Sequence, residues 1–281
     1  MTPRPQRCQR LRGNQLSEYE EFLRINMRLA PITVETSVQI AKRFLKSTNN
    51  IVSYETIKNY LATYLDKAPK TYNSQITDLR RFIRDFLGCE DLIKSFKMAP
   101  VDEAQRPTEI PTRKQMRKGF EVQRDSLECA VYLFTATTGL RRCEILGLVR
   151  DNINTGLRSV IPNHYTRKKR SGVTFYNSET EMWLSKYWQS RTDSNPKVFV
   201  ISERKWRQMW HTASKATGIK ITPQVLRKWF ATEMGERLIP DRFIDIFQGR
   251  APRSVLAKHY TGKGVLRLKR IYDKAQLKVL G

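Results

Sequence analysis

The chain has 281 residues, 40% of them hydrophobic, with 52 Lys and Arg against 27 Asp and Glu, a formal net charge of +25. At roughly 150 residues per domain this is material for about two domains with real cores, which excludes wholesale disorder. No run approaches the roughly 18 apolar residues that span a bilayer, the basic start lacks the apolar stretch of a secretory signal, and so large a charge points to a polyanionic partner, with nucleic acid ahead of an anionic membrane surface.

In chain order, residues 1–13 form a basic arm with Arg4, Arg7, Arg10 and Arg12. It reads equally as a solvated tail or as a tether to phosphate. Residues 14–98 read as a helical domain. Leu16, Tyr19, Phe22, Leu23 and Met27 recur at helical spacing, and Thr33 is placed to cap a second helix with Val34, Val38, Ala41, Phe44 and Leu45 on one face. Ser53 precedes Ile57, Tyr60, Leu61 and Tyr64, and a fourth stripe runs through Ile76, Leu79, Phe82, Ile83, Phe86 and Leu87. Short connections between such stripes favour a bundle of four or five helices. Lys42, Arg43, Lys46, Lys58, Lys70, Arg80, Arg81 and Arg84 decorate them. A charge run is usually a solvated face, but a one-signed excess over several helices favours DNA contact.

Residues 99–112 hold Pro100, Pro107 and Pro111 without apolar periodicity and read as a linker. Residues 113–281 read as a larger mixed domain. Helical patterns fall near 113–122, 125–137, 141–149, 179–190, 203–217, 223–236, 240–247, 252–260 and 265–278. Short strands are expected at Arg158–Ile161, Gly172–Tyr176 and Val198–Ile201. The fold class is therefore mainly α with a small antiparallel β-sheet. Cys8, Cys89, Cys129 and Cys143 form no C-x-x-C pair and only three histidines exist, so a zinc finger lacks ligands. No phosphate loop of the G-x-x-x-x-G-K-[ST] type is present, which argues against an NTPase.

Three stretches bear on chemistry. In Thr138-Gly139-Leu140-Arg141-Arg142-Cys143-Glu144 an apolar helix ends at glycine and a new helix starts with arginine at its head, a place suited to anions. Glu144 lies one turn on, where it can orient Arg141. In Thr222-Pro223-Gln224-Val225-Leu226-Arg227 a cap and a first-position proline start a helix with Arg227 in its second turn. In Phe247-Gln248-Gly249-Arg250, continuing to Tyr260, a glycine breaks one helix, Pro252 starts the next, and Tyr260 ends it. Read singly, each fits an ordinary ion pair, surface arginine or packing tyrosine.

Together, in this order, the three stretches resemble the tyrosine recombinase (phage integrase) family. The run from Val225 to Thr261 looks closest to integrases of archaeal viruses of the fusellovirus type. The resemblance implies a helical core-binding domain followed by a catalytic domain. It implies that Arg141 and Arg227 are the two catalytic arginines, Glu144 a supporting acid, and Tyr260 the nucleophile. The family's lysine lies in a β-hairpin. Here that region is Thr166–Val173, with Lys168 the first choice and Lys169 the second. Two positions depart from the common pattern: Gln224 stands where most members have His, and Arg250 where most have His or Trp. Glutamine is neither an acid nor a base at neutral pH.

The resemblance further implies attack by Tyr260 on a DNA phosphodiester, with Arg141, Arg227, Arg250 and Lys168 stabilising the charge and Lys168 protonating the leaving oxygen. One ester replaces another of similar energy, so no ATP, cofactor or metal is expected. Expected partners are double-stranded DNA attachment sites and three further copies of the chain in a tetramer, with an accessory DNA-bending factor possible and no membrane. The expected location is intracellular. The family's C-terminal tail docks on a neighbouring protomer, and Val265–Leu280 reads equally as such a tail or as a helix packed on its own domain. The implied role is integration or excision of a viral or plasmid genome. The alternatives are a non-catalytic DNA-binding relative and a recombinase that resolves chromosome dimers.

Overall fold

The computed structural model describes residues 9–10, 15–101, 109–162, 165–166, 169–170, 172–250 and 264–281. The chain divides into two compact units, Met1–Gln105 and Arg106–Gly281.

The first unit is built on four α-helices: α1 (Gln15–Ile25), α2 (Pro31–Ser47), α3 (Tyr54–Ala62) and α4 (Pro69–Arg80), the last running on into a π-helical turn, Arg81–Phe86. Its core gathers Tyr19, Leu23, Phe44, Val52, Ile57, Ile76, Leu79 and Phe82, all within a residual exposure of zero. Apart from Val52, these are stripe residues of the sequence, brought together because each helix has one apolar face to bury. Ser53 caps α3 in a reciprocal capping box with Thr56. Thr33 is not the cap of α2. That helix begins at Pro31, whose missing N–H and fixed φ suit the first helical position, and Ala30 precedes it without a side-chain cap. A two-stranded pair, β1 (Gln9–Arg10) with β2 (Ile51–Val52), closes the unit. Two of its basic residues are used internally. Arg81 pairs with buried Asp78, which also accepts from Ser37 at 2.7 Å, and Arg80 donates to the Phe96 carbonyl at 2.7 Å. Lys42, Arg43, Lys46, Lys58, Lys70 and Arg84 are exposed.

The second unit is centred on α6 (Ser126–Thr138), from which Glu128 to Thr138 are all buried. A helix apolar all round belongs inside a core. Around it lie α5 (Arg113–Glu121), α7 (Arg142–Gly147), α8 (Ser178–Gln189), α9 (Glu203–Thr217), α10 (Pro223–Glu236), α11 (Asp241–Phe247) and α12 (Val265–Lys274). A three-stranded antiparallel sheet has the order β3 (Ile153–Asn154), β4 (Ser159–Val160), β7 (Thr174–Phe175). A separate antiparallel pair joins β5 (Tyr165–Thr166) to β6 (Lys169–Arg170). The chain is thus mainly helical with a small antiparallel sheet.

Two expectations change. Val198–Ile201 is no strand: a single bridge joins Val149 to Lys197, and Val198 and Phe199 turn into the core, so no ladder propagates. The last helix ends at Lys274 rather than 278. Beyond it, the chain end packs on its own unit, with Ala275, Leu277 and Val279 buried in the same core as α6. The Glu179 carboxylate at the start of α8 accepts from the backbone N–H of Val279, Leu280 and Gly281, at 2.8, 3.1 and 3.1 Å. Tyr272 donates to the Thr137 carbonyl at 2.9 Å. The helix expected over 252–260 lies outside the described residues.

Candidate active site

The site begins where α6 stops. Gly139 takes the left-handed conformation, φ 63°, that ends a helix. It is also sterically obligatory, since a Cβ there would meet the Phe230 ring at 2.6 Å. Leu140 is buried and Arg141 holds extended backbone angles just before α7. Glu144, 2% exposed, turns back over this start. One carboxylate oxygen accepts from the Arg141 backbone N–H at 2.7 Å and the other from its Nη1 at 2.8 Å. The i+3 spacing thus fixes both the main chain and the guanidinium of Arg141.

Arg227 arrives on α10. Thr222 caps this helix by accepting from Val225 N–H, and Pro223 occupies the first position. Leu226, Trp229 and Phe230 bury completely, and this anchoring carries Arg227 inward to an exposure of 8%. Its Nη1 donates to the Gly139 carbonyl at 2.5 Å and its Nη2 to the Gln248 carbonyl at 2.6 Å. Neither partner is an anion. Burial therefore pushes its pKa well below the usual guanidinium range, down to about 10, helped by the nearby charges of Arg141 and Arg250 and opposed by Glu144 and Asp245.

The third strand of the site follows α11. Gln248 is fully buried, and Gly249 turns the chain with φ 59°. Arg250, half exposed, donates its backbone N–H to the Asp245 carbonyl at 2.8 Å and sets its guanidinium 3.6 Å from the Asp245 carboxylate. Arg141, Arg227 and Arg250, with Gln224 at its exposed edge, border one open cleft of about 710 Å³. Arg142, Cys143 and Lys228 line it too. A cation excess in a partly enclosed space suits an anion, and arginine forks match two phosphate oxygens at once.

Of the expected site residues, the structure brings Arg141, Glu144, Gln224, Arg227 and Arg250 together. Lys168 and Tyr260 lie outside the described residues. Lys169 falls on β6, paired with Thr166, and its side chain is outside what is described. Sequence reasoning missed Arg142, Lys228 and Gln248. The first two carried a weak signal, a second cation beside each motif arginine. Gln248 carried none beyond being polar at the end of an apolar helix. Among the described residues no group of three or more His, Cys, Asp or Glu is placed to hold a metal ion, and no helix is long and apolar enough to cross a membrane.

Comparison with known proteins sets these observations in context. Residues 116–264 match the model of the Phage integrase family. Tyrosine recombinase XerA of Pyrococcus furiosus is 31% identical over 199 residues, covering 63% of this chain and 68% of the relative. The protein of the same name from Thermococcus onnurineus is 24% identical over 279 residues, covering 93% and 95%. Among solved structures, the fold resembles the Tn1549 transposon integrase in complex with circular intermediate DNA, with TM-score 0.63, 15% identity, and coverage of 91% and 97%. It also resembles a lambda integrase dimer bound to a COC′ core site, with TM-score 0.64, 14% identity, and coverage of 88% and 76%.

Proposed function

Because the chain belongs to the phage integrase family of tyrosine recombinases, we propose that it cuts and rejoins duplex DNA through a covalent 3′-phosphotyrosine, with Tyr260 as nucleophile. The observation that carries this reading is the convergence of Arg141, Arg227 and Arg250 on one cleft, with Glu144 fixing the first of them.

In the proposed reaction the Tyr260 oxygen attacks phosphorus and the bond to the 5′-oxygen breaks. The phenolic proton passes to water. A phenol with pKa near 10 is mostly protonated at neutral pH, and the local positive field favours the phenolate. Gln224 offers no base, so this field carries more of the activation than it would beside a histidine. Arg141, Arg227 and Arg250 hold the non-bridging oxygens as negative charge grows on them. Lys168, or Lys169 in the alternative register, gives a proton to the leaving 5′-oxygen. Attack by another 5′-hydroxyl reverses the steps and joins a new strand. The phosphodiester energy is conserved in the phosphotyrosine, so the exchange needs no ATP.

The residues supply a helical DNA-binding domain over 14–98 and a catalytic domain over 113–281, and strand exchange between two sites calls for four copies. The run Val225–Thr261 supports a role in integrating and excising a viral or plasmid genome. The XerA relatives, named from the cellular organisms Pyrococcus and Thermococcus, support the second reading, a chromosome-dimer-resolving recombinase. Gln224 and Arg250, the two departures from the common pattern, are the features that favour a non-catalytic DNA binder.

The test is covalent trapping. Supercoiled and nicked DNA carrying the chain's own gene is incubated with wild type or Tyr260→Phe in EDTA, then denatured in SDS. Protein joined to DNA in the wild type alone is the expected result. A band that survives Tyr260→Phe assigns the nucleophile elsewhere. Salt-sensitive binding with no band from either protein favours the non-catalytic reading.

A further inference from the structure

Arg227 is held by an unusual partner. Gln248 lies 21 residues away and is wholly buried. The two are tied in both directions: Gln248 Nε2 donates to the Arg227 main-chain carbonyl at 2.7 Å, and Arg227 Nη2 donates to the Gln248 carbonyl at 2.6 Å. The side chain of Gln248 thus binds α10 at the residue whose guanidinium grips the Gln248 main chain. The Gly139 carbonyl holds the other terminal nitrogen at 2.5 Å.

Three physical points follow. Among the described residues both hydrogen-bond partners of the guanidinium are neutral carbonyls, which orient Arg227 without cancelling its charge as a bonded carboxylate would. Two of its five N–H donors are taken among the described residues. The carboxamide oxygen of Gln248 is buried with no partner among the described residues. An apolar side chain of equal size would fill the same space without that unmet polar atom, so packing does not account for glutamine here.

We infer that Gln248 is a positioning residue: its carboxamide locks α10 to the turn after α11 and thereby sets the Arg227 fork for the scissile phosphate. This rests on the proposed reading of Arg227 as a phosphate ligand. Met in place of Gln keeps the volume and removes the donor. The guanidinium then rotates more freely and meets the phosphate in fewer productive orientations.

The experiment uses the full chain as wild type, Gln248→Met and Arg227→Lys, each with ¹⁵N-labelled arginine. Gln248→Asn, which draws the carboxamide back, replaces Gln248→Met should that variant not fold. Single-turnover cleavage is followed on a nicked duplex of the trapped sequence, and on the same duplex with a neutral methylphosphonate at the scissile position. Gln248→Met is expected to bind DNA within about 2-fold of wild type and to cleave the phosphate duplex about 10- to 100-fold more slowly. On the methylphosphonate, which lacks the charge a fixed fork would meet, its defect should shrink to about 3-fold or less. Equal slowing on both duplexes marks a general loosening of the fold and overturns the inference. A wild-type rate for Gln248→Met, with Arg227→Lys inactive, overturns the inference alone. A wild-type rate for Arg227→Lys overturns the reading beneath it. Independently of cleavage, the Nη resonances of Arg227 should show hindered rotation in the wild type and averaging in Gln248→Met, and unchanged resonances overturn the grip itself.

Discussion

Arg227 and Glu144 show how single residues divide the work of this cleft. Glu144 is nearly inaccessible and holds both the main chain and the guanidinium of Arg141, whereas Arg227 is nearly as buried and has no anion at hydrogen-bond distance among the residues described. Burial therefore lowers the Arg227 pKa to about 10. The group stays charged at neutral pH. For a base whose folded pKa is depressed, the charged form opposes folding at all pH below about 10. That penalty is relieved as pH rises from about 10 toward the ordinary guanidinium value. An anion in the cleft reverses the sign. Inorganic phosphate at ten times its dissociation constant should raise the melting temperature of the wild type by about 3–6 °C, and that of Arg227→Met by clearly less, measured by differential scanning fluorimetry. An equal rise in both would place the bound phosphate elsewhere. Glu144→Gln turns one acceptor into a donor facing the donors of Arg141. It should cost about 1–3 kcal/mol in urea unfolding and slow covalent trapping about 10-fold.

At the scale of elements, the site depends on the α6–α7 junction. Gly139 is held left-handed, faces the Phe230 ring, and offers its carbonyl to Arg227. Gly139→Ala adds backbone strain and a clash with the Phe230 ring, two residues before Arg141. It should destabilise the catalytic unit by about 2–4 kcal/mol and reduce cleavage beyond what stability explains, because the carbonyl moves with the backbone. Chemical denaturation read beside trapping at low temperature separates the two effects. The chain end is a second such element. Glu179 gathers three backbone N–H groups there, and the buried Leu277 and Val279 continue the core beneath. Both readings of the tail had the same apolar spacing in the sequence. A stripe of Leu and Val states that a face is to be buried, and leaves open which surface will bury it.

For the whole molecule, charge and core organisation give the clearest expectations. The two hydrophobic cores draw on separate parts of the chain, one from Tyr19 to Ile93 and the other from Met116 to Val279. Fragments 1–105 and 106–281 should therefore each fold and melt cooperatively when expressed alone, as read by circular dichroism. The net charge of +25 should make DNA binding steeply salt-dependent. Neutralising about six phosphates gives roughly a 10³-fold loss of affinity between 50 and 200 mM salt by fluorescence anisotropy. A nearly flat salt response would mean that the exposed basic residues of the first unit do not meet the backbone.

The sequence by itself determined a charge that points to a polyanionic partner, the helical class through its apolar stripes, and the order of the arginine-bearing stretches through local signals of cap, glycine and proline. The Arg141–Glu144 pair was legible because a helix turns i and i+3 toward each other, so the spacing alone brings them into contact. Thr33 misled because a threonine that can cap also sits comfortably inside a first turn when a proline precedes it. The setting of Arg227 belongs to the tertiary structure alone. Its partners are main-chain carbonyls 88 and 21 residues distant, and every residue type carries that same carbonyl. Nothing in the identity of Gly139 or Gln248 advertises an acceptor; only the packing of α10 against the ends of α6 and α11 selects those two oxygens and leaves an arginine charged, oriented and open to the cleft.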